Sequence, residues 1–419
     1  MSRQDYHQGD LSLFAPPPAD TSAISREWIE YRPVNQITDT SVLEFNIPAQ
    51  SSAYVDFRRS VLNIKAKIVE GDQSNPADSE VLAPINLFLH SIFRQVHVAF
   101  QQTPLPHTGT NYPYKSYMDI ILNSNQMEQD GVLTSQFFYK DILDVGTNDA
   151  KTGTNVGLYE RYTLAKAGKI IDMEGPLQLD IFHQPKLLVN GVSIGIKLWQ
   201  SHDPFRIITD TVGASYKVQI VDARFKLCVL RPAGAVLLAN DKLIQDTPAV
   251  YPYLRSEIKT VSIAAGQFSY SADDTFQGLV PSKLVVGLVS SAAYNGDYGK
   301  NPLNFQHYNC NSVGLYIDCQ SFPARPLQPN YEADQYVDCY RTMTVYRKDI
   351  NVSVKEYKNG YCLYVLDIDP FYTFNTKRRG HCRLELKFST ALPESVTLIM
   401  YASFPEILSI DKARAVYVK

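Results

Sequence analysis

The 419-residue chain lacks most linear signatures of catalytic and metal sites. It has no Gly-rich phosphate-binding loop, no His-Glu-x-x-His pair and no Cys-x-x-Cys pair. All six Cys lie in the C-terminal half, without the spacing of a zinc site, which predicts reduced and mostly packed thiols. These absences favour a protein that is not an enzyme and that needs no cofactor.

The chain also lacks a charge excess, a long apolar run and a leader sequence. Lys and Arg number 40 against 43 Asp and Glu, which argues against a surface built to wrap nucleic acid. No apolar run approaches the roughly 18 residues that cross a bilayer. The N-terminal stretch MSRQDYHQGD has no apolar core of a secretory signal. We therefore expect no membrane span, no specific nucleic-acid site and no secretion.

What the chain does contain is tyrosine and alternating apolar residues. It has 27 Tyr against 2 Trp, and Tyr suits strands and partly wet contact surfaces because its ring packs while its hydroxyl bonds polar partners. Many segments alternate apolar and polar residues, which is typical of strands with one buried face. Clear examples are residues 62–68, 177–181, 194–198, 217–230, 312–319 and 383–388. The strongest helix prediction in the first half is residues 115–122.

Residues 279–322 show this organisation most clearly. An apolar, β-branched run at 283–289 predicts a buried strand, and the alternation at 312–319 predicts a second one. The Gly/Asn/Pro-rich connection between them is predicted to turn at Asn295-Gly296, which needs permissive backbone angles, and to re-enter the sheet after Asn301-Pro302.

The strand predictions form two series separated by a polar break at residues 203–215. We therefore predict an all-β chain of two tandem jelly-roll β-sandwiches, a double jelly roll, with long loops and a few short helices. The predicted parts are an extended N-terminal arm at 1–35, an N-terminal jelly roll at 36–209 and a C-terminal jelly roll at 210–419.

Two pairs of polar residues are candidates for chemistry, and each has a simpler explanation. Asp367 and Asp369 suit a metal or acid–base role, but this spacing next to a proline is more typical of a strand end and its turn. His90 and His97 are seven residues apart across a change of pattern, which favours separately packed histidines over a shared metal.

The sharpest basic cluster is Lys377-Arg378-Arg379. It has the charge to contact nucleic acid or an acidic neighbour. Three charges in a turn are more often simply solvated, so we treat the run as a weak basic patch.

Several short blocks resemble the major capsid proteins of Polinton/Maverick elements and the related adintoviruses, in both order and spacing. The N-terminal blocks are Tyr31-Arg32-Pro33-Val34, Leu43-Glu44-Phe45-Asn46-Ile47, Tyr54-Val55-Asp56-Phe57 and the stretch NLFLHSIF at 86–93. The C-terminal blocks are Ala293-Tyr294-Asn295-Gly296, Asn301-Pro302-Leu303-Asn304-Phe305 and the closing region 380–411. The resemblance covers nearly the whole chain from about residue 10 onward.

The resemblance implies a structural function. In such hexon-like proteins two jelly rolls of one chain stand side by side, and three chains form a homotrimer with a pseudo-sixfold outline that tiles an icosahedral capsid. The implied partners are the chain itself, neighbouring capsomers, a penton protein and minor capsid proteins. The implied location is the virion of a double-stranded DNA virus or virus-like transposon, assembled inside the host cell.

The resemblance also suggests a role for the connection at 292–305. We expect it to shape the edge of the second jelly roll where one subunit meets another. The candidate subunit-contact residues are Tyr294, Asn295, Gly296, Asn301, Pro302 and Phe305.

Two alternatives from other functional classes stay open. A glycan- or receptor-binding jelly roll, like a lectin or a viral fibre, needs aromatic residues clustered on exposed loops. Its candidates are Tyr294, Tyr298 and Tyr308. An enzyme of the cupin or glycosidase kind needs a convergent metal or carboxylate site. Its candidates are His90, His97, His183 and Asp180.

Overall fold

The computed structural model describes residues 21–38, 41–106, 108–143, 150, 154–211, 213, 215–369, 374 and 377–418. β-Strands dominate this part of the chain, as the alternating pattern predicts. In chain order they are β1 (Ala23–Tyr31), β2 (Leu43–Ile47), β3 (Tyr54–Glu70), β4 (Leu82–Pro84), β5 (Phe93–Phe100), β6 (Thr103–Pro104), β7 (Ile171–Gly175), β8 (Ile194–Gln200), β9 (Ile207–Thr209), β10 (Tyr216–Pro232), β11 (Ala249–Ile263), β12 (Ser269–Asp273), β13 (Lys283–Ser290), β14 (Cys310–Ile317), β15 (Gln320–Leu327), β16 (Leu363–Asp367), β17 (Cys382–Phe388), β18 (Val396–Ile410) and β19 (Val416–Val418).

The helices are short and lie in the connections between strands. They are α1 (Phe88–Ser91), α2 (Tyr112–Asn123), α3 (Gln126–Asp130), α4 (Val156–Ala165), α5 (Asp180–His183), α6 (Asp203–Arg206), α7 (Gly234–Asp246), α8 (Ser291–Asn295), α9 (Val337–Met343) and α10 (Val354–Lys358). Two 3₁₀ segments, Val132–Gln136 and Lys166–Gly168, accompany them. In the described residues no helix is both long enough and apolar enough to span a membrane.

Each half of the chain forms two facing sheets, and both halves share one strand order. When the eight main strands of each half are numbered along the chain, one sheet has the order 1-8-3-6 and the other has 2-7-4-5. The N-terminal sheets are β1-β10-β3-β7 and β2-β8-β5-β6, and the C-terminal sheets are β11-β18-β13-β16 and β12-β17-β14-β15. This is the jelly-roll order, so the predicted double jelly roll is confirmed.

The strand pairing differs from the predicted domain limits. β10 pairs along its length with β3 and β1, so it is the eighth strand of the N-terminal jelly roll, although the prediction began the second domain at residue 210. β1 is the first strand of the same sheet, although the prediction placed it in an arm spanning 1–35. Alternation identifies a strand, but only long-range pairing decides its sheet. We propose limits of 21–232 and 249–418 for the two jelly rolls, joined by α7.

Local predictions have mixed outcomes. Residues 115–122 lie within α2, and the alternating segments at 62–68 and 194–198 lie within β3 and β8, as predicted. The strand predicted at 177–181 is wrong, because α5 begins at Asp180. Asp180 accepts hydrogen bonds from Ser256 of β11, which is 76 residues away, so no local pattern indicates this contact.

The core fills the space between the two sheets of each jelly roll. Leu62, Ile64, Ala66 and Ile68 of β3 alternate inward as the sequence predicts. Burial of each such Leu or Ile side chain contributes roughly 1.5–3 kcal/mol. All six Cys are free thiols, and all but Cys319 are buried, as predicted.

Candidate functional site

The central feature of the molecule is the junction between its two jelly rolls. It is formed by α2 and α5 of the N-terminal jelly roll and by the outer face of the sheet β11-β18-β13-β16. Within β13 the side chains of Leu284 and Val286 point into the C-terminal core, whereas Lys283 and Val285 lie on the opposite face, in register with Ser403 and Tyr401. That opposite face is covered by the N-terminal jelly roll.

Helix α2 is built for burial on nearly all sides. Its Pro residue lies in the first turn, where the missing amide proton is not needed. Tyr112, Tyr114, Tyr117 and Met118 are all buried, so both its own jelly roll and the neighbouring sheet contribute to its stability. This helix, which lies between two strands of the N-terminal jelly roll, thereby connects the two jelly rolls at their junction.

A buried ionic network lies where α2 meets α5 and the sheet. The Lys115 ammonium, whose residue is 1% exposed, lies 2.7 Å from Asp119 Oδ2 and 3.1 Å from Asp180 Oδ1. Tyr401 donates a hydrogen bond to Asp119 Oδ1 at 2.7 Å. Ser256 donates to Asp180 through its amide at 2.6 Å and through its hydroxyl at 2.7 Å. The carboxylates of one jelly roll are therefore held by donors of the other.

Both charged partners in this network resist a change of protonation. Burial by itself lowers the pKa of Lys115, but Asp119 and Asp180 outweigh it and raise that pKa well above its ordinary value. Burial by itself raises the pKa of Asp119, but Lys115 outweighs it and the pKa is lowered. The Lys115–Asp119 pair is consequently ionic at neutral pH, and removing Lys115 leaves buried negative charge without its cation.

A cavity of about 680 Å³ lies beside the network, lined by both jelly rolls. The Lys283 ammonium borders it, 4.3 Å from the centre of the Tyr346 ring, and burial lowers the pKa of Lys283. Ser256 and Tyr401 also line the cavity, and their hydroxyl groups donate to Asp180 and Asp119, respectively. This arrangement fixes the two jelly rolls to each other.

The predicted subunit-contact loop is used within the chain. Tyr294, in α8, donates to Asn111 Oδ1 at 2.9 Å and stacks on Tyr114 with 5.6 Å between ring centres. Phe305 is fully buried and stacks on Tyr117 at 6.2 Å. The sequence identified these residues but not their partners, which lie in the N-terminal jelly roll of the same chain.

The backbone of this loop follows the predicted turns. Gly296 has a φ of 102°, and a Cβ there would lie 3.3 Å from Phe205 N, so Gly both turns the chain and permits close approach. The Asn301 side chain accepts from the Leu303 amide at 2.9 Å, and Pro302 is buried behind it. Asn295 remains exposed. A role between subunits stays a prediction for these residues.

The junction continues beyond α2 through the inserts between the fifth and sixth strands of each jelly roll, which are residues 105–170 (the N-terminal insert) and 328–362 (the C-terminal insert). Arg347 Nη1 lies 2.9 Å from Glu128, and Lys140 Nζ lies 2.6 Å from Glu356. Tyr361 donates to the backbone oxygen of Asp141 at 2.7 Å. The two inserts thus hold each other through polar contacts that cross the junction.

A buried ion pair stiffens the N-terminal insert from within. Arg161 and Asp141 are fully buried and 2.8 Å apart. Arg161 also donates to the backbone oxygens of Pro84 and Tyr139. This pair has no signal in the sequence, because its members are 20 residues apart and neither has a distinctive neighbour pattern.

The histidines proposed for a convergent metal site each have separate partners. His90 bonds Tyr112 at 2.8 Å and Gln136 at 2.9 Å, and burial lowers the pKa of His90 to about 4. The His97 ring packs against Trp199 at a tilt of 60°, with 4.5 Å between ring centres, and the ring of His183 bonds Gln178. No group of three or more His, Cys, Asp or Glu residues in the described ranges has metal-binding geometry.

Asp369 of the acidic pair lies near the basic patch, because Asp369, Lys377 and Arg378 line one small cavity. Asp367 accepts from Tyr346 at 2.7 Å, and the Asp369 amide bonds Ser282 O at a strand end. Lys377, Arg378 and Arg379 are exposed. Lys377 lies 3.4 Å from Glu406, and Arg378 lies 5.9 Å from the centre of the Phe322 ring.

The nucleophile pattern Gly-x-Ser-x-Gly occurs at residues 191–195. It precedes the strand β8, whereas a nucleophile elbow joins a strand to a helix. Ser193 Oγ donates to Gln101 Oε1 at 3.0 Å. The match therefore marks an ordinary turn.

The tyrosines proposed for glycan binding point to internal partners. Tyr298 donates to Tyr216 O at 2.8 Å, and Tyr308 donates to Glu394 at 3.0 Å. Tyr294 is the junction residue described above. These three hydroxyl groups serve internal contacts and form no exposed aromatic cluster.

Comparison with known proteins identifies the fold. No family model matches the chain. An uncharacterized protein of Caenorhabditis elegans is 25% identical, and the match covers 95% of this chain and 98% of the relative.

Three solved structures share the fold over nearly the whole chain. A chain from the Sputnik virophage matches with a TM-score of 0.65 at 12% identity, covering 98% of this chain and 91% of its own. The Faustovirus major capsid protein matches with a TM-score of 0.59 at 11% identity, covering 97% and 94%. The mavirus major capsid protein matches with a TM-score of 0.53 at 11% identity, covering 98% and 94%. The chain therefore has the double jelly-roll fold of viral major capsid proteins.

Proposed function

We propose that this chain is a major capsid protein of a double-stranded DNA virus or virus-like transposon, and that three copies form a capsomer of an icosahedral shell. The observation that carries the proposal is the pair of jelly rolls with one strand order, fixed side by side by a buried junction, in a fold shared with Faustovirus and mavirus major capsid proteins over nearly the full length. The function is structural.

The junction supports this function physically. A shell subunit has to keep a fixed angle between its modules, because its neighbours are placed by that angle. Lys115 and its two carboxylates, together with the Tyr114–Tyr294 stack, join the modules through side chains that are mostly inaccessible to water. A rigid two-module block suits tiling, whereas a hinged pair does not.

The Polinton/Maverick and adintovirus setting belongs to the same proposal. The ordered sequence blocks support it, and so does a full-length relative in a nematode, because an animal is a natural place for a genome-resident viral element. In that setting the chain assembles inside the host cell, resides in the virion, and meets a penton protein and minor capsid proteins.

The proposal is tested by the mass of the purified protein in solution. Light scattering at micromolar concentration is expected to give three times the 47.2 kDa of one chain. A strictly monomeric species would contradict the proposal. A monomer that also bound defined glycans on an array would favour the lectin-like alternative.

A further inference from the structure

Lys283 is a buried cation at the junction that lacks an anionic partner. The residue lies at the start of β13 and is 8% exposed. Within the described part of the chain no carboxylate lies within ion-pair distance of its ammonium, and no acceptor forms a hydrogen bond with it. The ammonium instead lies over the Tyr346 ring, 4.3 Å from the ring centre. A lysine this buried is rarely left unpaired, because a desolvated charge costs free energy.

The carboxylates nearest to Lys283 are already engaged. Asp119 is bound to Lys115 at 2.7 Å. Asp367 lies opposite Lys283 in the β13–β16 pair and accepts a hydrogen bond from Tyr346. Burial lowers the pKa of Lys283 more than the charges of Asp119 and Asp367 raise it. The charge of Lys283 is therefore poorly compensated by the residues around it.

The cavity that Lys283 borders is large enough for a small organic molecule. Its volume of about 680 Å³ falls within the range of roughly 300–1,000 Å³ that is usual for small-molecule sites. Asn123, Val132 and Pro185 line it and are exposed, so the cavity opens to solvent. A ligand is thus able to enter while the junction stays folded.

Much of the cavity wall is apolar and comes from both jelly rolls. Ile120 and Leu133 of the N-terminal jelly roll are buried there, and Pro252 and Leu254 of β11 are half-buried there. An inorganic anion pairs with Lys283 but leaves this apolar space unfilled. A neutral apolar molecule fills the space but leaves the ammonium unpaired. The wall therefore fits a molecule that has one anionic group and an apolar body.

We propose that the cavity binds an amphipathic carboxylate, whose head group pairs with Lys283 and whose apolar chain lies between the two jelly rolls. The ligand contacts both jelly rolls, so its binding stabilises their junction. The site lies within one chain and does not depend on the proposed capsid function.

Titration calorimetry of the purified full-length protein tests the ligand class. The probe is decanoate, used near neutral pH and below the concentration at which it forms micelles. 1-Decanol has the same chain without the charge, and acetate has the charge without the chain. Decanoate is expected to bind, and the other two are expected to bind at least about tenfold more weakly. Absence of decanoate binding, or equal binding of either comparison compound, would overturn the proposal.

Substitutions locate the binding site. Lys283→Met keeps the length of the side chain without its charge and is expected to weaken decanoate binding at least about tenfold. Val132→Trp, at an exposed position of the cavity wall, is expected to weaken decanoate binding by narrowing the opening. Lys65→Met, in the other jelly roll, is the control and is expected to leave binding unchanged. Unaltered decanoate affinity in Lys283→Met would contradict the assigned role of Lys283.

Unfolding in urea distinguishes a ligand-binding lysine from a structural one. Without ligand, Lys283→Met is expected to raise the unfolding midpoint, because it removes an unpaired buried charge. Decanoate is expected to raise the midpoint of the parent protein but not that of the variant. A midpoint that falls as far as in Lys115→Met, or failure of Lys283→Met to fold, would make Lys283 a structural residue and overturn the proposal.

The outcomes also separate this inference from the proposed function. A trimeric protein that binds no decanoate loses this site and keeps the capsid function. A monomeric protein that binds decanoate through Lys283 keeps this site and loses the capsid function.

Discussion

The two 1-8-3-6 sheets have the same strand order and opposite surroundings. In the C-terminal sheet the face that leads away from the core holds Tyr401, Lys283 and Val285, and α2 with its neighbours covers it. In the N-terminal sheet the equivalent face holds Trp28 and Lys65 and is open. One strand order thus yields one covered and one exposed outer face, so strand order alone does not decide which face is buried.

The ion pairs of the two faces differ in the same way, because one pair is buried and the other is exposed. On the covered face a lysine is desolvated and paired with two buried carboxylates, an arrangement that is costly to break. On the open face Lys65 and Asp172 form a pair of which both side chains are well exposed, an arrangement worth little in water. The following predictions use this contrast, from the largest expected effect to the smallest.

Removing β1 is expected to have the largest effect. Deletion of residues 1–31 takes away the strand that pairs with β10 from Phe225 to Pro232, exposing the edge of the N-terminal sheet. We expect this variant to be insoluble or to unfold far more readily in urea, monitored by circular dichroism. Deletion of residues 1–20, which leaves β1 in place, is the control and is expected to keep the parental unfolding midpoint. Equal stability of the two truncations would contradict the assignment of β1 as a structural strand.

Removing the buried cation of the junction is expected to cost nearly as much. Lys115→Met leaves Asp119 and Asp180 without their partner, and we expect a loss of about 3–5 kcal/mol in the free energy of unfolding. Lys65→Met on the open sheet is the matched control and is expected to change stability by less than about 1 kcal/mol. Similar free energies of unfolding for the two variants in urea titrations would show that the buried network does not stabilise the junction between the jelly rolls.

Removing an aromatic ring from the junction probes packing apart from charge. Phe305→Ala opens a cavity against Tyr117 and Gly287, and we expect a loss of about 3–5 kcal/mol, toward the lower end if the loop collapses into the space. Phe268→Ala, at an exposed position, is the control and is expected to change stability by less than about 0.5 kcal/mol. A small change in the free energy of unfolding for Phe305→Ala would mean that this loop contacts the junction without stabilising it.

Acid is expected to destabilise both jelly rolls over one pH window. Burial lowers the pKa of His90 in the N-terminal half and of His307 in the C-terminal half to about 4, from the ordinary 6.5. The unfolded chain therefore binds protons between pH 6.5 and 4 that the folded chain does not. The full free energy of unfolding is therefore present above pH 6.5. It falls as the pH drops toward 4, by about 3 kcal/mol for the fully buried His90.

The substitution His90→Gln tests this origin. It keeps a polar side chain beside Tyr112 and Gln136 but does not titrate, so the stability of the variant is expected to fall less steeply between pH 6.5 and 4. His307→Gln is the comparison in the other jelly roll, with a smaller expected effect because His307 is less buried. Unchanged pH dependence in both variants would place the acid sensitivity elsewhere.

Much of the fold follows from the sequence because strand burial has a local signature. Leu62, Ile64 and Ala66 alternate in the sequence and in the structure because successive side chains of a strand point to opposite faces. The helix at α2 was equally predictable from its apolar spacing. The Asn295-Gly296 turn follows from residues that permit positive φ.

The junction was not predictable because the residues that form it are distant from one another in the chain. Lys115 and Asp119 look like an exposed i,i+4 pair on a helix, and only Tyr401, in the last long strand, shows that the pair is buried. The same holds for β10, whose alternation predicts a strand but whose pairing with β3 decides the domain to which it belongs. Phe305 was identified as a contact residue, while the identity of its partner required the fold.

Electron microscopy of the purified chain tests the central claim most directly. We predict trimers with a pseudo-hexagonal outline in which six jelly rolls form a ring. Isolated two-module particles would contradict the proposed capsid function.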